Sequence, residues 1–142
     1  MQDNVRLINE YTPTKKLMEY LALTDIYLFT SKDPHQAVSG TFLYAMSAGC
    51  PIISNSFVLA KEMLDDTTGV MLTRNDDHEL AENAIRILKN PILKREMSRN
   101  AYLKTRNTTW AKVGQKHAQL FHQILGRSAA IASVPDQYIK EV

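Results

Sequence analysis

The chain has 142 residues, 44% hydrophobic and 23% charged, with a formal net charge of +2, which suits one soluble domain with a proper core. Acids and bases are interspersed with no basic block, which argues against phosphate-driven nucleic-acid binding, and no apolar run approaches the ~20 residues that span a bilayer. The opening MQDNVRLINE lacks the basic and apolar regions of a signal peptide, and the single cysteine, Cys50, excludes an internal disulfide framework or a thiolate cluster, leaving a cytoplasmic α/β domain as the expectation.

Val5-Arg6-Leu7-Ile8 reads as a first buried strand. It follows the N-terminus so closely that the chain reads as part of something larger. Thr12-Pro13 reads as an N-cap followed by proline at the first helical position. Leu17, Tyr20 and Leu21 give that helix one apolar face. Asp25 precedes a second strand over Ile26 to Thr30, and Asp33-Pro34 opens a loop. Ser39 or Thr41 can cap the next helix, with Phe42, Ala45 and Met46 facing inward. Gly49 closes it as a left-handed C-terminal glycine. Cys50-Pro51 leads into the strand Ile52-Ile53-Ser54. A helix over Phe57 to Leu64 then ends at the turn Asp65 to Gly69, before a strand over Val70 to Thr73. Strands and helices alternate on short connections, which implies a parallel sheet with helices on both faces.

Beyond Thr73 the pattern is helical. Asp76 and Glu79 make a capping-box-like start, and Leu80, Ala84, Ile87 and Leu88 an apolar face. Asn90-Pro91 ends that helix and starts one carrying Leu93, Met97 and Ala101. Thr108 or Thr109 can cap a last helix, with Trp110 as an anchoring core residue and His117 at the core edge. Gly114 inside it costs about 1 kcal/mol against alanine, so close packing is expected there. Residues 127–142, with Pro135, read as a loosely held tail after a domain over 1–126.

The stretch from Asp33 to Ser54 says most about function. Loops at the C-terminal edge of a parallel sheet are where open α/β folds bind ligands. Ser39-Gly40-Thr41 would turn free N–H groups toward that loop, a setting suited to a phosphate. A plain N-cap explains the same three residues. His35 and Gln36 could hydrogen-bond a sugar or phosphate, although spacing alone favours two solvated loop residues. Asp65 and Asp66 read as solvated turn residues rather than an acid/base pair. Cys50 has no activating base nearby in sequence and reads as packing. The four histidines show no metal-ligand spacing. No Walker loop, nucleophile elbow or Gly-x-Gly-x-x-Gly is present.

With these residues in view, the chain resembles the nucleotide-sugar-binding C-terminal half of GT-B-fold glycosyltransferases, specifically the large retaining family 4 group. Tyr44-Ala45-Met46-Ser47-Ala48-Gly49-Cys50-Pro51-Ile52-Ile53 follows that family's Glu-Ala-Met-Ala-x-Gly-x-Pro-Val-Ile. Thr24 to Ser31 resembles the preceding strand. Lys61 to Leu64, Thr68 to Leu72, Glu79 to Leu88, and Trp110 with Val113 resemble later family segments, so the likeness runs in order over about residues 4 to 125. The family's first loop Glu falls at Gln36, its second Glu at Tyr44, and its Phe-Gly at Val38-Ser39 with a glycine one place later at Gly40. In the family the first lies near the donor sugar and the second typically binds the ribose. Gln36 carries no charge for an oxocarbenium-like transition state, and Tyr44 offers one hydroxyl where a carboxylate would be bidentate.

The resemblance implies a Rossmann-like, truncated C-terminal domain of a GT-B enzyme. Two further strands, a basic pair gripping the donor phosphates, and an acceptor domain would precede Val5. It further implies a GDP- or UDP-sugar donor, transfer of a hexose such as mannose or glucose without a metal or cofactor, and a glycan or lipid-linked acceptor. In this reading His35, Gln36, Ala37, Val38, Ser39, Gly40 and Thr41 hold the donor sugar and diphosphate. Tyr44 lies near the ribose, and Asn9 to Tyr11 approaches the base. Localisation would be cytoplasmic, with contact at the inner face of a membrane left open, and no nucleic-acid partner. A non-catalytic binding or regulatory domain on the same fold is the alternative, favoured by loss of both glutamates. A receiver or flavodoxin fold is disfavoured: Asp25 starts a strand rather than ending one, and Ser39-Gly40-Thr41 follows the second strand rather than the first.

Overall fold

A computed structural model describes residues 2–31, 33–74 and 76–125. Three strands, β1 (Tyr27–Phe29), β2 (Ile52–Ser54) and β3 (Gly69–Met71), form one parallel sheet in the order β1-β2-β3. The register pairs Tyr27 with Ile52 and Ile52 with Gly69. Between them run α2 (Gly40–Ser47) and α3 (Val58–Met63). α1 (Thr14–Ala22) precedes β1, and α4 (Asp77–Leu88), α5 (Pro91–Thr105) and α6 (Trp110–Ile124) follow β3.

The central strand explains the layering. Successive side chains of a strand point to opposite faces, and all three residues of β2 are buried. Ile52 packs with Leu21 of α1, with Phe42, Ala45 and Met46 of α2, and with Leu59 and Ala60 of α3. Ile53 packs instead with Leu72, Ile87 of α4 and Met97 of α5. Helices therefore cover both faces, as the alternation of short apolar runs and helical patterns implies.

Two glycines fix close geometry. Gly49 has φ +79°, the left-handed region. Its N–H donates to Met46 O, and the N–H of Cys50 donates to Ala45 O, closing α2 as expected. Gly69 has ordinary φ, but a Cβ built on it would lie 2.4 Å from the carbonyl oxygen of Ile52 in β2. Gly69→Ala must therefore push β3 off β2. The expected result is a loss of about 1–3 kcal/mol, the range of overpacked cores, read as a lower urea midpoint by circular dichroism.

Helix starts follow their side chains. Ser39 Oγ accepts from Phe42 N at 3.3 Å, Asp76 Oδ1 from Glu79 N at 2.6 Å, Asn90 Oδ1 from Leu93 N at 3.1 Å, and Thr109 Oγ1 from Lys112 N at 3.4 Å. The Glu79 carboxylate accepts from Thr73 N, Thr73 Oγ1 and Arg74 N. It thereby ties the end of the β3 segment to the first turn of α4. α5 is pinned from two sides: Lys94 Nζ lies 2.6 Å from Asp25, and Lys104 Nζ lies 2.6 Å from Asp65.

Several expectations change. Val5 to Ile8 form no strand, and Leu7 is 87% exposed. A strand needs a ladder partner, and none of the described strands pairs with this run. Pro13, rather than Thr12, is the residue before α1, and no side chain caps that helix. Trp110 is 86% exposed rather than an anchor, and α6 has no buried residue. A Cβ at Gly114 would meet nothing within 4 Å, so close packing does not account for that glycine. His117 is exposed, with Nδ1 2.9 Å from Val113 O. The tail over 127–142 lies outside the described residues.

Candidate functional site

The loop from Ser31 to Ser39 leaves the C-terminal end of β1 and feeds directly into α2. What holds the two ends of this loop is a cluster of three phenylalanines. Phe42, in the first turn of α2, meets Phe29 of β1 edge-on with ring centroids 5.5 Å apart, and meets Phe57 before α3 at 5.4 Å. Phe29 and Phe57 lie 4.9 Å apart. Phe42 and Phe57 have no exposed surface. Edge-to-face aromatic contacts at this spacing add to the stabilisation from burial, so the first turn of α2 is seated firmly against the end of the sheet.

Within the loop, the side chains of Ser31, Asp33 and Gln36 make hydrogen bonds to the loop itself. Asn55, just after β2, donates from Nδ2 to Ser31 O at 3.0 Å. Ser31 Oγ donates to Gln36 Oε1 at 2.7 Å and accepts from Asp33 N at 3.2 Å. Gln36 Nε2 donates to Val38 O at 3.0 Å. His35 N donates to Asp33 Oδ1 at 2.9 Å, a local Asx turn. One Asp33 carboxylate oxygen is thus engaged with the backbone, and Gln36 uses both ends of its amide.

At the start of α2 the situation reverses. Ser39 is buried and spends its hydroxyl as the cap; Thr41 Oγ1 lies 3.4 Å from it. The backbone N–H groups of Gly40 and Thr41 occupy the first two helical positions, where no intrahelical acceptor exists. Neither finds an acceptor among the described residues. A Cβ on Gly40 would meet nothing within 4 Å, so the space beside these donors is open. An opening with unpaired N–H groups and the positive end of a helix favours an anion.

The remaining sequence candidates fall around this point. His35, Ala37, Val38 and Thr41 are exposed and Gln36 is partly buried. Tyr44, one turn into α2, is 39% exposed, and its hydroxyl has no partner among the described residues. Tyr11 is exposed in the segment before α1, and no hydrogen bond or ring contact among the described residues joins it to the loop. Ser31 and Asn55 are the additions that sequence reading missed. An Asn just beyond the C-terminal end of a strand, beside a strand-end loop, was the available signal.

Other polar features lie elsewhere. A surface cavity of about 420 Å³ runs along β3, bounded by Leu64, Asp65, Asp66, Met71 and Arg86, away from the loop. Asp65 belongs to the packing of α5: hydrogen bonds from Lys104 and then Thr67 hold its carboxyl well below the usual carboxylate range. Cys50 is buried, donates from Sγ to Leu21 O at 3.2 Å, and has its thiol pushed up to about 11 by burial, which makes it unreactive packing. Among the described residues no group of three or more His, Cys, Asp or Glu side chains could hold a metal ion. No described helix is long and apolar enough to cross a membrane.

Comparison with known proteins gives the fold its relatives. Sucrose-phosphate synthase from Thermosynechococcus elongatus superposes with a TM-score of 0.62 at 20% sequence identity, covering 75% of this chain. The likeness establishes a GT-B-type α/β fold. This chain spans 27% of the length of that protein. No curated protein matches the sequence. The family model for glycosyl transferases group 1 matches residues 1–104, a span that holds the whole sheet, the phenylalanine cluster and the Ser31–Thr41 loop. The chain therefore belongs to the glycosyl transferases group 1 family.

Proposed function

We propose that the protein provides the nucleotide-sugar-binding part of a retaining, family 4 type glycosyltransferase. In this reading it serves transfer of a hexose, such as mannose or glucose, from an NDP-sugar to a glycan or lipid-linked acceptor. One observation carries the reading: the unpaired N–H groups of Gly40 and Thr41, beside open space, sit at the C-terminal end of a parallel sheet within the family match. The donor diphosphate docks against these N–H groups and the Thr41 hydroxyl. His35 to Val38 line the side toward the sugar. The Tyr44 hydroxyl offers one hydrogen bond to the ribose, and Tyr11 belongs to the base side.

The helix end supplies partial positive charge where the leaving diphosphate gains negative charge, so it stabilises departure without a metal. The acceptor is brought by a facing domain that also excludes water. The 142-residue chain by itself binds but does not transfer, and it works in the cytoplasm, on polysaccharide or glycolipid synthesis.

A second reading, a non-catalytic binding domain on the same fold, is favoured by one observation. Gln36 offers an uncharged amide that is already engaged with Ser31 and Val38 within the loop. The two readings share the nucleotide site and differ in turnover.

Ligand-observed NMR with GDP, UDP and ADP in turn tests the shared claim. The expected result is selective binding of one nucleotide with a Kd on the order of 1 mM, the affinity of a few hydrogen bonds without a full enclosing site. Absence of binding by all three contradicts it.

A further inference from the structure

We infer that Gln36 is a positioning residue for the nucleotide site: its side-chain amide sets the direction of the Val38–Ser39 peptide, and so adds the N–H of Ser39 to those of Gly40 and Thr41. The inference rests on the donor-site reading above and concerns how that site is held in shape.

The argument starts from the two ends of one amide. Gln36 Oε1 accepts from Ser31 Oγ at 2.7 Å, and Gln36 Nε2 donates to Val38 O at 3.0 Å. Ser31 is itself anchored, because its carbonyl accepts from Asn55 Nδ2 at 3.0 Å just beyond β2. A continuous chain of hydrogen bonds thus runs from the end of β2 through Ser31 and Gln36 to the residue before the cap of α2. In a planar trans peptide the carbonyl and the following N–H point in opposite directions. With the Val38 carbonyl drawn toward Gln36, the Ser39 N–H points away from Gln36, and it has no acceptor among the described residues.

The two hydrogen bonds together need a side chain that both accepts and donates, as an amide does. A carboxylate in the same place could accept from Ser31 but has no N–H for the Val38 carbonyl. An apolar side chain could do neither. Gln36 therefore acts through backbone groups, without touching the diphosphate.

The test uses the whole chain with GDP, UDP and ADP, which lack the transferred hexose, so that a direct contact of Gln36 with the donor hexose is silent. Gln36→Met removes both hydrogen bonds without adding charge. The expected result is about tenfold weaker binding of the nucleotide that the unaltered protein selects, the loss of roughly one charge-assisted hydrogen bond, with displaced Ser39 and Gly40 amide resonances before any ligand is added. Ser31→Ala, which leaves the Val38 contact, is expected to weaken binding less and serves if Gln36→Met fails to fold. A merely structural role would lower the thermal midpoint and leave the Kd of the folded protein unchanged; unchanged affinity in Gln36→Met, or in Ser31→Ala if only that variant folds, overturns the inference alone. If the unaltered protein binds none of the three nucleotides, the donor-site reading fails and the inference fails with it.

Discussion

Phe42→Ala is expected to lower the unfolding free energy by about 3–5 kcal/mol, the cost of deleting a fully buried aromatic side chain. Phe42 has no exposed surface and is the shared neighbour of Phe29 and Phe57. Its ring joins three parts of the fold: the end of β1, the first turn of α2 and the residue that precedes α3. Neighbours held by a sheet relax little, so a cavity would remain. A loss of that size is a large fraction of the stability of an ordinary domain, and urea unfolding followed by circular dichroism measures it. Phe42→Leu fills most of the volume and should cost less. A loss under 1 kcal/mol in Phe42→Ala would mean that the loop is not seated by this cluster.

Gly40→Val carries the largest expected effect on binding. Apart from its chain neighbours and the backbone of its own helix, no protein atom lies within 4 Å of a Cβ at this position, and its φ is outside the left-handed region. The fold therefore accommodates the side chain, and replacing glycine in a helix removes backbone freedom from the unfolded chain. In the proposed site the two methyl groups would stand where the diphosphate approaches the N–H groups of Gly40 and Thr41. Losing close approach to two charge-assisted donors is expected to weaken nucleotide binding by about tenfold or more, at unchanged or slightly raised thermal midpoint. Equal affinity in the variant would place the ligand elsewhere.

These two residues show what the sequence made legible. Spacing alone puts Phe42 on the inward face of its helix, and the apolar run gives the strand Ile52 to Ser54 to the residue. Short helices and strands that alternate on tight connections leave few topologies. A cap at Ser39 or Thr41, of which the structure uses Ser39, and Gly49 as closing glycine follow from local chemistry, which needs no knowledge of the rest of the chain. The run Val5 to Ile8 reads as a strand yet forms none, because apolar content says what should be buried and not whether a partner strand is present. Trp110 differs from its expected place for the same reason: an apolar face on α6 is legible, but what covers it is a tertiary fact.

The site was legible in part. The loop and the start of α2 stood out through Asp33-Pro34 and Ser39-Gly40-Thr41. The hydrogen bonds that spend Gln36 on Ser31 and Val38 were not legible, because side-chain contacts across five residues of irregular loop follow no period. Asn55 lies 24 residues from Ser31 in sequence, and only the pairing of β1 with β2 brings them together.

The most direct measurement is a titration of the ¹⁵N-labelled chain with UDP, GDP and ADP, followed by amide resonances. The account predicts that one nucleotide shifts the Gly40 and Thr41 amides first and farthest, with Tyr44 following and the β3 groove around Asp66 and Arg86 unmoved. Shifts centred on that groove, or none near the start of α2 at any nucleotide concentration, would contradict it.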